Sequence, residues 1–404
     1  MEIEGCYSGE CAFFCLGAET ASSIVAEQHI SRSQPPIKHP PFYFTQVSSN
    51  SFSRLLGIDF SIPVIFLMLD ATVGALGWAY LALIKPPSPK VCGSPGGPPV
   101  ISPRVKLSDG RHLAYRERGV PKETARYKII IVHGFDNSKD LELPLSQDLI
   151  EELQIYLLSY DRAGYGESDP YPGRSVKSEA FDIQELADKL QVGPKFYVIG
   201  MSMGAYIIYS CLKYIPHRLA GASLVVPFVH YWWPRFPAKI SNEALQKHLI
   251  HDQRTFKMAH YAPWLFYWWM TQKWFPSLSA LQGNMAIFCP QDLETIKQLM
   301  EGPPNDNQER LRQQGVYESL YRDIMVGYAK WEFSPLDLTN PFPNNESSVH
   351  IWQGQEDKII PAAVNRYISE QLPWIQYHEV PDGGHLIIFN ASVCETIFRK
   401  LVGA

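Results

Sequence analysis

Lys195-Phe196-Tyr197-Val198-Ile199-Gly200-Met201-Ser202-Met203-Gly204-Ala205-Tyr206-Ile207-Ile208-Tyr209 passes from a short apolar run through a Gly-x-Ser-x-Gly turn into a second apolar run. That order predicts a strand, a sharp turn with serine at its apex, and a helix starting near Met203. The two glycines remove the Cβ atoms that would crowd the turn, and the turn pushes the hydroxyl out of the sheet edge. Serine is a weak nucleophile until geometry and a base activate it. The helix that follows puts its positive end beside any oxyanion formed there. Gly-x-Ser-x-Gly by itself also occurs as an ordinary Gly/Ser turn, so the flanking strand and helix patterns carry the reading.

Strand and helix patterns alternate around this turn. Arg104–Leu107 and His112–Tyr115 flank Ser108-Asp109-Gly110-Arg111, whose Asp-Gly pair signals a hairpin. Lys128–Val132 reads as a buried strand, Leu143–Leu153 as a helix and Ile155–Tyr160 as a strand. Val176–Leu190 reads as an amphipathic helix capped by Ser175, and Ala222–Val226 as a further strand. Such alternation specifies an α/β fold, a mostly parallel sheet with helices on both faces. The pattern stops at Pro227 and resumes with Val349–Trp352, Ala362–Leu372, Ile375–Val380 and Leu386–Leu401. One domain therefore comprises 103–227 and 336–404, interrupted by an aromatic, helical insertion over 228–335. The tracts Tyr231–Pro234 and Tyr261–Trp269 in that insertion either line a pocket for an apolar group or form the insertion's own small core.

The remaining chain differs in character. Residues 1–60 are punctuated by Ser, Pro, Gln and Asn and read as a poorly ordered leader, in which Cys6, Cys11 and Cys15 are either lipidation sites or ordinary cysteines. Within 61–85, Ile62 to Ile84 is almost wholly apolar and long enough to cross a bilayer; Trp78, Tyr80 and Lys85 suit an interface. Asp70 near its middle opposes insertion by a few kcal/mol, so a helix lying in the membrane surface or packed on the domain competes with a span. Lys85, Lys90, Arg104 and Lys106 after the segment, against Arg54 before it, place the larger domain on the cytoplasmic side. Residues 86–102 are rich in Pro, Gly and Ser and read as a linker.

Composition bounds the function. The chain has 404 residues, 46% hydrophobic and 19% charged, enough for one large domain with an appendage. A net charge of −5 with no basic stripe excludes nucleic acid as the expected partner. Seven scattered cysteines show no metal-ligand spacing; Cys211, Cys289 and Cys394 lie among apolar residues and read as packed thiols. No metal or organic cofactor is implied.

Ser202 needs a base, and His385 in Asp382-Gly383-Gly384-His385 follows the last expected strand. Strand carboxyl ends share one edge in a parallel sheet, so the two can meet there. The base needs an orienting carboxylate. Asp357, in Gly354–Pro361, is the leading candidate, with Glu356 and Asp382 behind it; Asp357 alone could equally cap a helix near Pro361. The oxyanion of acyl transfer requires donors placed beforehand. Met203 N–H supplies one and Phe135 N–H, in His133-Gly134-Phe135-Asp136, is the candidate for the other. His133 reads as a bracing residue of that loop.

His133-Gly134-Phe135, Asp161–Asp169, Gly200–Gly204, Asp357 and Gly384-His385 together resemble the α/β-hydrolase superfamily over roughly residues 103–404, with a closer likeness to plant-type members carrying an N-terminal hydrophobic segment. The resemblance implies an eight-stranded sheet, a cap formed by the insertion, a triad of Ser202, Asp357 and His385, and oxyanion donors at Phe135 and Met203. It gives Asp161–Asp169 a structural role only, and the missing HGGG-type loop departs from the hormone-sensitive-lipase branch. The expected activity is that of a carboxylesterase or lipase-like serine hydrolase acting on a small-molecule ester, lipid or otherwise apolar, and reached from a membrane if Ile62–Ile84 binds one. A ligand-binding receptor with a retained triad and slow turnover, or a triad-dependent lyase, is the alternative.

Overall fold

The computed structural model describes residues 62–301 and 307–404; the expected leader over 1–60, with its three cysteines and Arg54, lies outside them. Eight strands form one sheet: β1 (Arg104–Lys106), β2 (His112–Gly119), β3 (Tyr127–Val132), β4 (Ile155–Tyr160), β5 (Phe196–Met201), β6 (Leu219–Val225), β7 (Val349–Gly354) and β8 (Ile375–Val380). Their spatial order is β1-β2-β4-β3-β5-β6-β7-β8. The β1–β2 and β2–β4 pairs are antiparallel and every other pair is parallel. The register pairs Val132 with Gly200, Met201 with Val225, Val225 with Trp352 and Gly354 with Val380, so the carboxyl ends of β3, β5, β6, β7 and β8 share one edge.

The central strands are mostly apolar because both faces are covered. Alternate side chains go to opposite sides. Ile129, Ile131, Leu157 and Ile199 meet α2 (Gln147–Leu153) and α12 (Ala391–Val402). Ile130, Val132, Leu158 and Val198 meet α3 (Val176–Lys189), α4 (Gly204–Tyr214) and α11 (Ala362–Gln371). Ser175 caps α3 as expected, accepting the Ser178 N–H. Two helices start later than their apolar patterns suggest. Pro144 disfavours helical backbone at Leu143 and Ser146 caps α2 by accepting Leu149 N–H, so that helix begins at Gln147 rather than Leu143. Asn390 caps α12 by accepting the amides of Ser392 and Val393, leaving Ile387–Phe389 as a 3₁₀ turn where a helix from Leu386 was expected.

Between β6 and β7 the chain runs through α5 (Ala238–Gln246), α6 (Ile250–Tyr261), α7 (Phe266–Thr271), α8 (Pro290–Met300), α9 (Asn307–Leu311) and α10 (Arg322–Gly327), with no strand among the described residues. Its rings serve mainly as core: Tyr231, Trp233, Tyr328 and Trp331 are buried against one another and Phe228. Residues 86–102 carry no helix or strand but are fastened down. Cys92 N–H donates to Gln314 Oε1 at 3.0 Å, and the amides of Ile101 and Ser102 both donate to Glu167 Oε2 at 2.9 Å. Glu167 is nearly fully buried, so the Asp161–Asp169 stretch anchors this segment. The apolar N-terminal segment forms α1 (Ile62–Ala79), continued by a π turn over Tyr80–Ile84.

Candidate active site

Ser202 sits between β5 and α4 at φ = +51°, a left-handed conformation that strains a non-glycine residue by roughly 1–3 kcal/mol. The sheet holds it there: Ser202 N–H donates to Val225 O at 2.9 Å, and Ser202 O accepts from Phe228 N–H at 3.1 Å. A Cβ at Gly200 would stand 2.4 Å from Ile208 Cγ1, and one at Gly204 would stand 2.4 Å from Val132 O. The turn therefore admits only glycine at both flanks.

His385 and Asp357 arrive from the next two strand ends. His385 Nε2 lies 2.9 Å from Ser202 Oγ, and His385 Nδ1 lies 2.9 Å from Asp357 Oδ2. Asp357 Oδ1 accepts the amides of Ile359 and Ile360 at 2.9 and 2.8 Å and so braces its own turn, while Oδ2 meets the ring; it does not cap α11, whose N-cap is Pro361 with no side-chain cap. Gln353 Nε2 donates to Asp357 Oδ2 at 3.3 Å, and Asn365 fixes Gln353 by donating to its Oε1 at 2.9 Å. Glu356 and Asp382 are exposed and do not meet the ring. An ionised Asp357 accepts the Nδ1 proton, which leaves Nε2 to accept from Ser202. Burial opposes charging the ring, but the Asp357 carboxylate, its hydrogen bond and the nearby Asp292 outweigh burial and raise the His385 pKa above the ordinary histidine value.

The loop after β3 lies against this turn. A Cβ at Gly134 would be 3.2 Å from Ser202 Cβ. Among the described residues, neither Phe135 N–H nor Met203 N–H donates to any other group. Met203 occupies the N-cap of α4, where a free amide and the positive helix end coincide. His133 braces the loop: Nδ1 donates to Gly134 O at 2.8 Å and Nε2 accepts Arg162 N–H at 3.1 Å, and burial keeps its ring neutral.

Three features escaped the sequence reading. Asp292, at the start of α8 in the insertion, is buried and accepts the amides of His385 and Leu386 at 3.0 and 2.8 Å. A Cβ at Gly384 would fall 2.1 Å from Asp292 Oδ2, which accounts for glycine before the histidine. The Cys-Pro-Gln-Asp pattern at 289–292 signals a helix start, and Cys289 and Asp292 do form that capping box; nothing in it signals the reach to His385. Second, Arg162 Nη1 and Nη2 donate to the two oxygens of Asp323 in α10 at 2.6 and 2.5 Å, while Nη2 also donates to Gly134 O at 3.1 Å. Third, the Gln353–Asn365 pair carried no motif.

A cleft of about 630 Å³, counting its open mouth, lies over Ser202. Its walls are mostly apolar, including Phe135, Phe228, Phe256, Leu278, Ile324 and Ile360. The arrangement can deprotonate a serine hydroxyl, hold developing charge on an oxygen and seat an apolar group beside them.

A family model described as the alpha/beta hydrolase family matches residues 129–394. No curated protein matches. Among solved structures the chain is similar to a thermophilic esterase from Thermogutta terrifontis, at 21% identity and TM-score 0.47, covering 74% of this chain and 97% of that one. It is similar to Rv0554 from Mycobacterium tuberculosis at 15% identity and TM-score 0.50, covering 74% and 97%. It is also similar to an enol-lactonase from Burkholderia xenovorans LB400 at 15% identity and TM-score 0.48, covering 74% and 98%. With the family model spanning the sheet from β3 through the start of α12, this chain belongs to the alpha/beta hydrolase family.

Proposed function

We propose that this chain is a serine hydrolase that cleaves a carboxylic ester through an acyl-enzyme. Ser202 Oγ attacks the acyl carbonyl while His385 Nε2 takes its proton, and Asp357 stabilises the imidazolium. The amides of Phe135 and Met203 receive the oxyanion. His385 then protonates the departing alkoxide, and water, activated by the same ring, releases the acid. The observation that carries this reading is the continuous Ser202–His385–Asp357 chain, 2.9 Å at each link, opening into an apolar cleft beside two uncommitted amides. The cleft's lining favours an ester with an apolar portion.

The substrate is proposed to be reached from a membrane surface. Phe66–Ile84 is long and apolar enough to cross a bilayer and none of it is buried. The aromatic side chains of Trp264 and Trp274 in the insertion are 66% and 79% exposed, as interfacial rings would be. Activity-based labelling with a fluorophosphonate tests the nucleophile. Wild type should label and turn over acyl esters, and Ser202→Ala should fold and label no further. Labelling that persists in folded Ser202→Ala removes Ser202 from the role; labelling without turnover on an ester panel overturns the hydrolase reading.

A further inference from the structure

The cleft over Ser202 is not uniformly apolar. Five polar side chains interrupt its walls besides Ser202: His248, Asp252, Ser279, Tyr328 and Lys358. Two have a bond elsewhere, which for Lys358 uses one of its three N–H donors. Ser279 Oγ bonds His251 Nε2 at 2.7 Å, and Lys358 Nζ donates to Phe288 O at 3.0 Å. The other three, all from the insertion, keep bonding capacity to spare.

Asp252, in the first turn of α6, is 3% exposed. Its Oδ1 accepts Ser279 N–H at 2.7 Å, while its Oδ2 has no partner among the described residues. A carboxylate oxygen left unmatched inside an apolar wall costs stability unless a ligand or water meets it. His248 bonds the Tyr231 hydroxyl through Nε2. Tyr231 is buried, and its hydroxyl bonds no other group among the described residues. Tyr231 therefore donates, Nε2 accepts, and the proton of the neutral ring sits on Nδ1. Burial keeps that ring neutral despite Asp252 and Asp357, with a pKa lowered to about 4. His248 Nδ1–H has no acceptor among the described residues, and the Tyr328 hydroxyl likewise has no partner.

The cleft lining thus offers an acceptor on Asp252 and donors on His248 and Tyr328. An ether or ketone would satisfy the donors and leave Asp252 unmatched. An ammonium would satisfy Asp252 and leave His248 unmatched. A hydroxyl accepts and donates at once. We propose that His248, Asp252 and Tyr328 form a hydroxyl-binding subsite, so that the substrate is an ester whose cleft-bound portion carries a free hydroxyl. The inference rests on the ester-hydrolase reading above and narrows its substrate class.

Binding to Ser202→Ala, read by calorimetry, tests the subsite separately from turnover. The probes are methyl octanoate, the positional isomers of methyl hydroxyoctanoate, glyceryl octanoate and octanoylcholine. At least one hydroxylated ester should bind about tenfold or more tighter than methyl octanoate, the gain expected of a hydrogen bond to a charged partner. Adding Asp252→Asn, which keeps an oxygen for Ser279, or Tyr328→Phe should pull that ratio towards one. Equal binding of hydroxylated and plain esters overturns the subsite, as does a ratio unchanged in both variants or a preference for octanoylcholine over every hydroxylated ester. In wild type, hydrolysis of methyl octanoate without hydroxyl preference would sink the subsite and leave the hydrolase reading standing. Tighter hydroxyl binding without hydrolysis of any ester would sink the hydrolase reading instead.

Discussion

Replacing Asp292 by alanine should impair the proposed base, His385, through its backbone rather than its ring. The carboxylate is 1% exposed and accepts three amides: His385 at 3.0 Å, Leu386 at 2.8 Å and Cys289 at 3.3 Å. Asp292→Ala leaves all three unmatched, each worth about 1–3 kcal/mol when buried. The loop of His385 and Leu386 will relax to hydrate its two, and it carries the imidazole. A shift on the order of 1 Å at a reacting group costs about 10²-fold in rate, so kcat on a p-nitrophenyl ester should fall by about that factor while KM changes little. The charge has its own signature. Asp292 helps to raise the His385 pKa, and the ring must be neutral to act as base. Removing the negative charge makes the imidazolium less favourable, so the acid limb of the pH–kcat/KM profile should move to lower pH. Asp292→Asn separates the two effects. It keeps one acceptor oxygen, so the loss in kcat should be partial, yet the limb should move as far as in Asp292→Ala. A folded Asp292→Ala with kcat within twofold of wild type and an unmoved limb would refute the reasoning.

Asp323→Ala should destabilise the chain by about 3–5 kcal/mol, read as a lowered guanidinium midpoint, because the buried guanidiniums of Arg162 and Arg174 lose their shared partner; an unchanged midpoint would show that the network contributes nothing. Burial resists the ionisation of Asp323, but those two guanidiniums overcome it and hold its carboxyl far below the usual carboxylate range. A depressed folded pKa makes this contribution present above the unfolded value and lost only as pH falls through the folded one, so the gap between wild type and variant should stay constant from neutral pH down to mild acid. Removing residues 1–85 should abolish flotation with phospholipid vesicles and leave the melting temperature unchanged. Removing 1–102 should also lower the melting temperature, since the amides of Cys92, Ile101 and Ser102 are then gone from Gln314 and Glu167. Vesicle flotation that survives the loss of 1–85 would remove α1 from that role.

The fold was legible because two periodicities agree along the chain. Short apolar runs at 129–132, 155–160 and 196–199, rich in β-branched and aromatic residues, read as strands buried on both faces, and each leads into a helical pattern. Ser202, Asp357 and His385 could be picked out because each follows such a strand, and parallel strands put those positions on one edge. What the sequence did not reveal depends on contacts between elements far apart in the chain. Helix starts at Gln147 and Ala391 were set by the caps Ser146 and Asn390, which outweighed the apolar residues before them. The supports from Asp292 and Asp323 come from the insertion, where no periodic pattern ties a carboxylate to a partner 93 or 161 positions away.

Those two carboxylates act on opposite halves of the candidate site. Asp292 accepts the amides of His385 and Leu386, which flank the Cα of His385, hence it holds the proposed base. Asp323 holds Arg162, whose Nη2 donates to Gly134 O, the carbonyl of the peptide that carries the Phe135 amide, hence the proposed oxyanion donor. A peptide group is planar, so fixing its oxygen fixes the direction of its N–H. The insertion is therefore more than a wall for the cleft: Asp292 on α8 bonds the His385 backbone directly, and Asp323 on α10 holds the Arg162 that bonds the Gly134 carbonyl. The insertion both lines the cleft and braces the proposed base and donor, so changes in it that alter which ester fits should seldom leave kcat untouched.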